Sequence, residues 1–382
     1  MIISNGTIHD AIHEEAYQSD IAIRDGVITE IGTNIQPLEN EEIIDAAGMQ
    51  IYPGLVEAHS HLGLRTSGAG NMGMDINEKS NIMTPYLRGI DGFYPQDMSV
   101  RKALEAGVTT VCAGPGSSNI IGGTFFVTKT YGSSIDKMVM VKTAAMKCAF
   151  GENPKNLYGT KGCTSRMTVT GKFREMLYLT QDYMLRKEAA HGDIQKMPKF
   201  DMNCEAMIPV LRREIPLKAH AHRADDLCTA IRIAKEFDLK LTLEHCTEAA
   251  MIVEELQEAG YPLAVGPALS FPGKSECTSY SFETPGILAR AGLSVSIITD
   301  HSVVPQENLP ICAGLAVRAG MDPFAALQAI TINPAKHIGV ESRVGSIEIG
   351  KDGDVLVATG DILLNSTKVK MVILNGKCVV NQ

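Results

Sequence analysis

Four times between residues 98 and 300, a helical stretch is halted by a residue that tolerates a left-handed backbone, and an apolar run follows at once. "SVRKALEAGVTTVCAG" stops at Gly107, "EAAMIVEELQEAGYPLAVGP" at Gly260 and "TPGILARAGLSVSIITDH" at Gly292, while "ADDLCTAIRIAKEFDLKLTLEHC" turns at Asp238. Glycine takes the positive φ that ends a helix without a steric penalty. Helix–stop–strand units repeated in this way imply parallel strands joined by helical crossovers. Counting every candidate gives eight strands, near residues 51–58, 108–112, 124–128, 143–149, 215–220, 240–244, 262–266 and 293–299. Eight such units favour a closed (β/α)8 barrel over an open sheet. Residues 165–210 interrupt the rhythm as a helical excursion.

Both ends of the chain read differently. "IAIRDGVITEIG" alternates apolar and polar residues around Asp25-Gly26, a two-residue hairpin signal. The end, "VGSIEIGKDGDVLVATG" and "KVKMVILNGKCVV", has the same alternation and turn chemistry. The expected organisation is α/β: a TIM-like barrel over 51–344, with a small β-sandwich built by both termini, 1–50 and 345–382.

A barrel of this kind places its chemistry at the C-terminal ends of its strands. "GLVEAHSHLG" puts His59 and His61 there after the first strand, and strand residues i and i+2 point to one side. His-x-His is too common to define a metal site without partners, and the other strand ends supply them. "PLKAHAHRADD" offers His220 and His222, "LTLEHC" offers His245, and "VSIITDH" offers Asp300. Imidazoles with a carboxylate are the ligands of zinc with an open position, rather than of magnesium or calcium. Such an ion lowers the pKa of its water from about 15.7 to about 7. Asp300 is then the general base that takes the water's proton and delivers it to a leaving amine.

The remaining composition narrows the class. A net charge of −9 without a basic block argues against nucleic acid and anionic membrane surfaces. Nine cysteines, scattered and with no C-x-x-C, suit reduced thiols in a cytoplasm rather than a disulfide framework. No run of about 20 apolar residues is present, and the first residues lack the basic and apolar regions of a signal peptide. Arg65, Arg223 and Lys129 are expected near the barrel mouth, where a guanidinium or ammonium binds a substrate carboxylate. "GPGSSNIIGG" at 114–123 lacks the Lys-Ser/Thr of a phosphate loop and is expected to shape a loop over the site. His9, His13, His191 and His337 are assigned to surface or packing, and His301 to structure.

"GLVEAHSH", "KAHAH", "LEHC" and "ITDH", in this order, resemble the amidohydrolase superfamily over nearly the whole chain, and most closely its imidazolonepropionase-like and prolidase-like branch. The tail "ALQAITINPAKHIGVESRVGSIEIGKDGDVLV" is similar to the family's passage from barrel to terminal β domain. The resemblance implies a hydrolase of amide-type C–N bonds with one or two zinc-like ions, a metal-bound hydroxide as nucleophile and Asp300 as proton shuttle. It makes His220 the ligand and His222 a substrate or neighbouring group. It also suggests that Lys147, in "AAMKCAFGENPK", is carboxylated and bridges two metals, with Glu152 as the rival ligand. Expected substrates are small and polar: a cyclic amide, a dipeptide or an N-acyl amino acid. An aromatic-ring deaminase using the same metal is the alternative, weakened because "HAHRADD" places no Glu beside the strand-five histidines. A non-catalytic scaffold of the same fold is disfavoured by the complete ligand set. A homo-oligomer is implied by resemblance alone.

Overall fold

The computed structural model describes all 382 residues. Along the chain come β1 (Ile2–Ile8), β2 (Tyr17–Arg24), β3 (Val27–Gly32), β4 (Ile43–Asp45) and β5 (Gln50–Pro53). The barrel strands follow: β6 (Leu55–Ser60), β7 (Val108–Ala113), β8 (Ile121–Lys129), β9 (Val139–Ala149), β10 (Leu217–Ala221), β11 (Leu241–His245), β12 (Leu263–Val265) and β13 (Val295–Ile297). The chain ends in β14 (Val355–Ala358), β15 (Val369–Leu374) and β16 (Lys377–Asn381). Helices Arg166–Ala189 and Met202–Leu211 make the excursion.

The terminal strands form one sheet in the order β16-β15-β14-β5-β1-β2-β3, with β4 parallel to β1. Asp25 and Gly26, at φ 51° and 81°, make the expected tight β2–β3 turn. That turn reaches round to the other half, where Gly353 N donates to Gly26 O at 2.7 Å. The curled sheet encloses Ile3, Ile21, Ile28, Ile51, Val355 and Ile373, which are the inward residues of its alternating strands.

The barrel strands are hydrogen-bonded in chain order from β6 to β13. β13 and β6 share no ladder, and a side chain bridges this seam. Glu57, wholly buried on β6, accepts from Thr299 N at 3.0 Å, Thr299 Oγ1 at 2.7 Å and Gln306 Nε2 at 2.7 Å. His61 N adds a bond to His301 O at 2.8 Å.

Two expectations are corrected. The strand expected over 51–58 is two strands: β5 pairs with β14 in the terminal sheet and β6 with β7 in the barrel. Gly54 separates them, and a Cβ there would meet the Thr109 side chain at 2.1 Å. The sheet is also not parallel throughout, because β8 runs antiparallel to both β7 and β9. The loop between β7 and β8 covers only residues 114–120. A parallel crossover needs a dozen or more residues, so the chain turns back instead. This reversal carries Lys129 to the closed end of the barrel, opposite the mouth where it was expected. There it pairs with Asp354 and, at 2.9 Å, with Asp352, joining the barrel to the β14 strand. No helix is long and apolar enough to cross a membrane.

Candidate metal centre

Strand alternation turns Glu57 and His59 of β6, Lys218 and His220 of β10, and Glu244 of β11 to the barrel interior. His245 follows Glu244 directly, yet it also reaches the centre. The backbone at His245 and Cys246 is left-handed, with φ of 76° and 51°, so the strand breaks and re-aims the imidazole. Asp300 is placed by the same device at φ 50°. Such conformations persist in non-glycine residues only where the surroundings hold them, and they concentrate at functional sites.

These elements bring together two groups of ligand atoms within 4.8 Å of one another: His59, His245 and Asp300, and then His220, His222 and His245. His61 adjoins the first, with Nε2 3.2 Å from Asp300 Oδ1. The histidines are held from behind. His59 Nδ1 donates to Glu244 Oε2 at 2.8 Å, His61 Nδ1 to the Gly114 carbonyl at 2.7 Å, and His245 Nδ1 to the Gly266 carbonyl at 2.9 Å. His222 Nδ1 lies 2.7 Å from Thr247 Oγ1. Carbonyl and carboxylate oxygens only accept, so His59, His61 and His245 carry their proton on Nδ1. Their Nε2 lone pairs face inward, as in metal-binding histidines generally.

The chemistry of the centre fits a divalent cation. His245 Nε2, His220 Nδ1 and Asp300 Oδ1 are buried without a hydrogen-bond partner, an arrangement costly for polar atoms unless a ligand satisfies them. Burial pushes His59, His220 and His222 well below the usual imidazole value and His245 to about 4, keeping the rings neutral as ligands require. Burial alone would raise the Asp300 carboxyl. His245, His61 and His59 outweigh it, so the group stays below the usual carboxylate range.

Lys147 is fully buried on β9, with Nζ 3.1 Å from His59 Nε2 and 5.6 Å from the Phe125 ring centroid. It makes no ion pair within 4.0 Å, and burial lowers its pKa to about 8. Glu152 lies elsewhere, bonded to the Ser275 hydroxyl. The centre opens into a cavity of about 680 Å³ lined by Asn77, Ser117, Asn153, Phe271, Lys274 and Tyr280, among others. Residues Gly116 to Ser118 of the glycine-rich segment border it, as expected of a loop over the site. Arg65 and Arg223 do not line this cavity. Arg65 donates to Ser302 Oγ at 2.7 Å, and Arg223 forms a two-pronged pair with Asp225 at the start of the next helix.

Sequence reading passed over Glu57, Lys218, Glu244, Glu276 and the buried role of His337. His337 is 5% exposed, and its Nε2 is 2.9 Å from Glu244 Oε1. It belongs to the interior of the site rather than to the surface or to simple packing. Glu276 is supplied by the long loop after β12. Its Oε1 lies 3.6 Å from His220 Nε2 and 3.9 Å from His222 Nε2, and it pairs with Lys274 at 2.7 Å.

Residues 212–379 match the amidohydrolase family. An amidohydrolase of known structure from Thermotoga maritima MSB8 is 37% identical, with 100% of both chains covered and a TM-score of 0.96. An amidohydrolase of Hapsidospora irregularis is 27% identical over 90% of this chain and 38% of its own length. An adenine deaminase of Listeria monocytogenes is 25% identical over 100% of this chain and 57% of its own length. An imidazolonepropionase of Symbiobacterium thermophilum is 26% identical over 88% of this chain and 83% of its own. The chain thus spans about two fifths to three fifths of the first two of these curated relatives.

Proposed function

The chain belongs to the amidohydrolase family, and from that premise we propose that it hydrolyses an amide-type carbon–nitrogen bond in a small polar substrate such as a cyclic amide, a dipeptide or an N-acyl amino acid. One observation carries the reading: five histidines, Asp300 and Lys147 converge at the barrel mouth, with unpartnered ligand atoms beside a polar cavity. His59, His61, His245 and Asp300 would hold one cation, and His220, His222 and His245 a second. A divalent cation bound there supplies Lewis acidity, polarising a carbonyl oxygen and acidifying water. Asp300, with 13% of its side chain exposed and Oδ1 free, accepts the proton of the attacking water and returns it to the leaving nitrogen. Lys147, a buried amine with no acid paired to it, suits carboxylation: its nitrogen would attack carbon dioxide and lose a proton to water, and the carbamate would supply oxygen donors to a bound cation. Asn153, Lys274 and Tyr280 face the cavity and orient the substrate.

Glu276 favours one second reading. It places a carboxylate beside His220 and His222, the position a ring deaminase uses to move protons, although the "HAHRADD" segment itself has no Glu there. A panel of cyclic amides, dipeptides, N-acyl amino acids and aminopurines separates the two. Ring opening or release of an amino acid supports the hydrolase, and ammonia from an aminopurine supports the deaminase. Inactivity across the panel in protein of verified metal content contradicts both.

A further inference from the structure

Below the ligand histidines lies a layer of buried charge that the hydrolytic reading leaves unused. Glu244 on β11 is wholly enclosed, and four groups from four elements close on its carboxylate. Thr242 Oγ1 at 2.6 Å and His337 Nε2 at 2.9 Å meet Oε1, while His59 Nδ1 at 2.8 Å and Lys218 Nζ at 3.0 Å meet Oε2. Each oxygen has two partners, so the group is saturated. Lys218 is itself 1% exposed, and Glu244 is the anion within its reach.

Donor and acceptor rules then fix the protons. An ionised carboxylate only accepts, so each partner presents a hydrogen to it. His337 therefore carries its proton on Nε2, and the 3.3 Å approach of Lys218 Nζ to that nitrogen is proximity rather than a bond. His59 carries its proton on Nδ1. Its Nε2 is bare and points to the space shared with Lys147 at 3.1 Å and Asp300 Oδ1 at 3.7 Å. Lys147 makes no ion pair with Glu244 within 4.0 Å, and the cation in contact with that carboxylate is Lys218.

We propose that Glu244, with Lys218 as its fixed counter-cation and His337 as its second clamp, is a positioning residue that locks His59 in the Nδ1–H form and aims its Nε2 lone pair at the metal position. The proposal rests on the reading of His59 as a ligand. Three consequences follow from the geometry. Removing the anion frees the ring to change tautomer. Removing Lys218 leaves a buried charge uncompensated. Lys218 acts only through Glu244, so loss of both costs no more metal affinity than loss of Glu244. Partners behind metal ligands typically contribute about 10–100-fold in affinity.

Long-range proton–nitrogen spectra of histidine-labelled wild-type protein, with His59 identified through His59→Gln, read the tautomer without depending on any charge variant folding. Zinc affinity by chelator competition is measured in parallel on wild type, His59→Gln, Glu244→Gln, Lys218→Met and the Glu244→Gln/Lys218→Met double variant. The expected result is an Nδ1–H His59 in wild type and about 10–100-fold weaker zinc in Glu244→Gln, with the double variant no weaker. An Nε2–H His59 in wild type overturns the proposal. So does unchanged zinc affinity in Glu244→Gln when His59→Gln weakens it, or losses in the two single variants that multiply in the double. If His59→Gln leaves zinc binding untouched, the reading of His59 as a ligand fails, while the spectra still decide the clamp.

Discussion

Asp300 combines three properties that seldom meet in one side chain: a left-handed backbone, a carboxyl kept below the usual carboxylate range despite burial, and an oxygen with no hydrogen-bond partner. A group so placed can take a proton only if its carboxylate is intact. Asp300→Asn is therefore expected to lower kcat by about 100- to 10,000-fold, measured against metal content so that a lost ion is not mistaken for a lost base. Wild-type turnover in a metal-loaded Asn variant would remove Asp300 from the proton path. Asp300 was legible in the sequence because it ends an apolar strand, and His59 and His61 because period-two spacing sets them on one side. Glu244 and Glu276 were not. Their roles depend on partners from β6, β10 and the 332–337 helix, or on a loop whose course no local pattern reveals. His337 was assigned to surface or packing for the same reason.

Between residue and molecule, the strands show where pattern reading fails. All eight barrel strands were visible as apolar runs, but direction was not, since an apolar run reads alike both ways. Connection length carried the missing information: residues 114–120 are too few for a helix, and β8 had to reverse. That one reversal moved Lys129 from mouth to base. The β13–β6 seam is the complementary case, where a ladder is expected and a side chain substitutes. Glu57→Ala would leave Thr299 N and Gln306 Nε2 buried without an acceptor. Each such group costs about 1–3 kcal/mol, so a clear fall in the urea midpoint at unchanged m-value is the expected outcome. An unchanged midpoint would mean that the seam is closed by something other than Glu57.

At the scale of the whole molecule, the repeated helix–stop–strand rhythm and the two β-rich ends were enough to anticipate a barrel with a terminal sheet. They did not reveal that Gly54 divides one apolar run between the two layers, because both halves are equally apolar and both are buried. The barrel's purpose in this account is to hold five ligand-bearing strand ends around one or two cations. The most direct test is the metal content of protein purified without chelator, for wild type, His59→Ala and Lys147→Ala, with folding checked in each. The account predicts about two ions per wild-type chain, falling to one or none in both variants. Wild-type protein that takes up no zinc, manganese or cobalt under any loading condition would contradict it, and the converging histidines would be residues of the barrel mouth and nothing more.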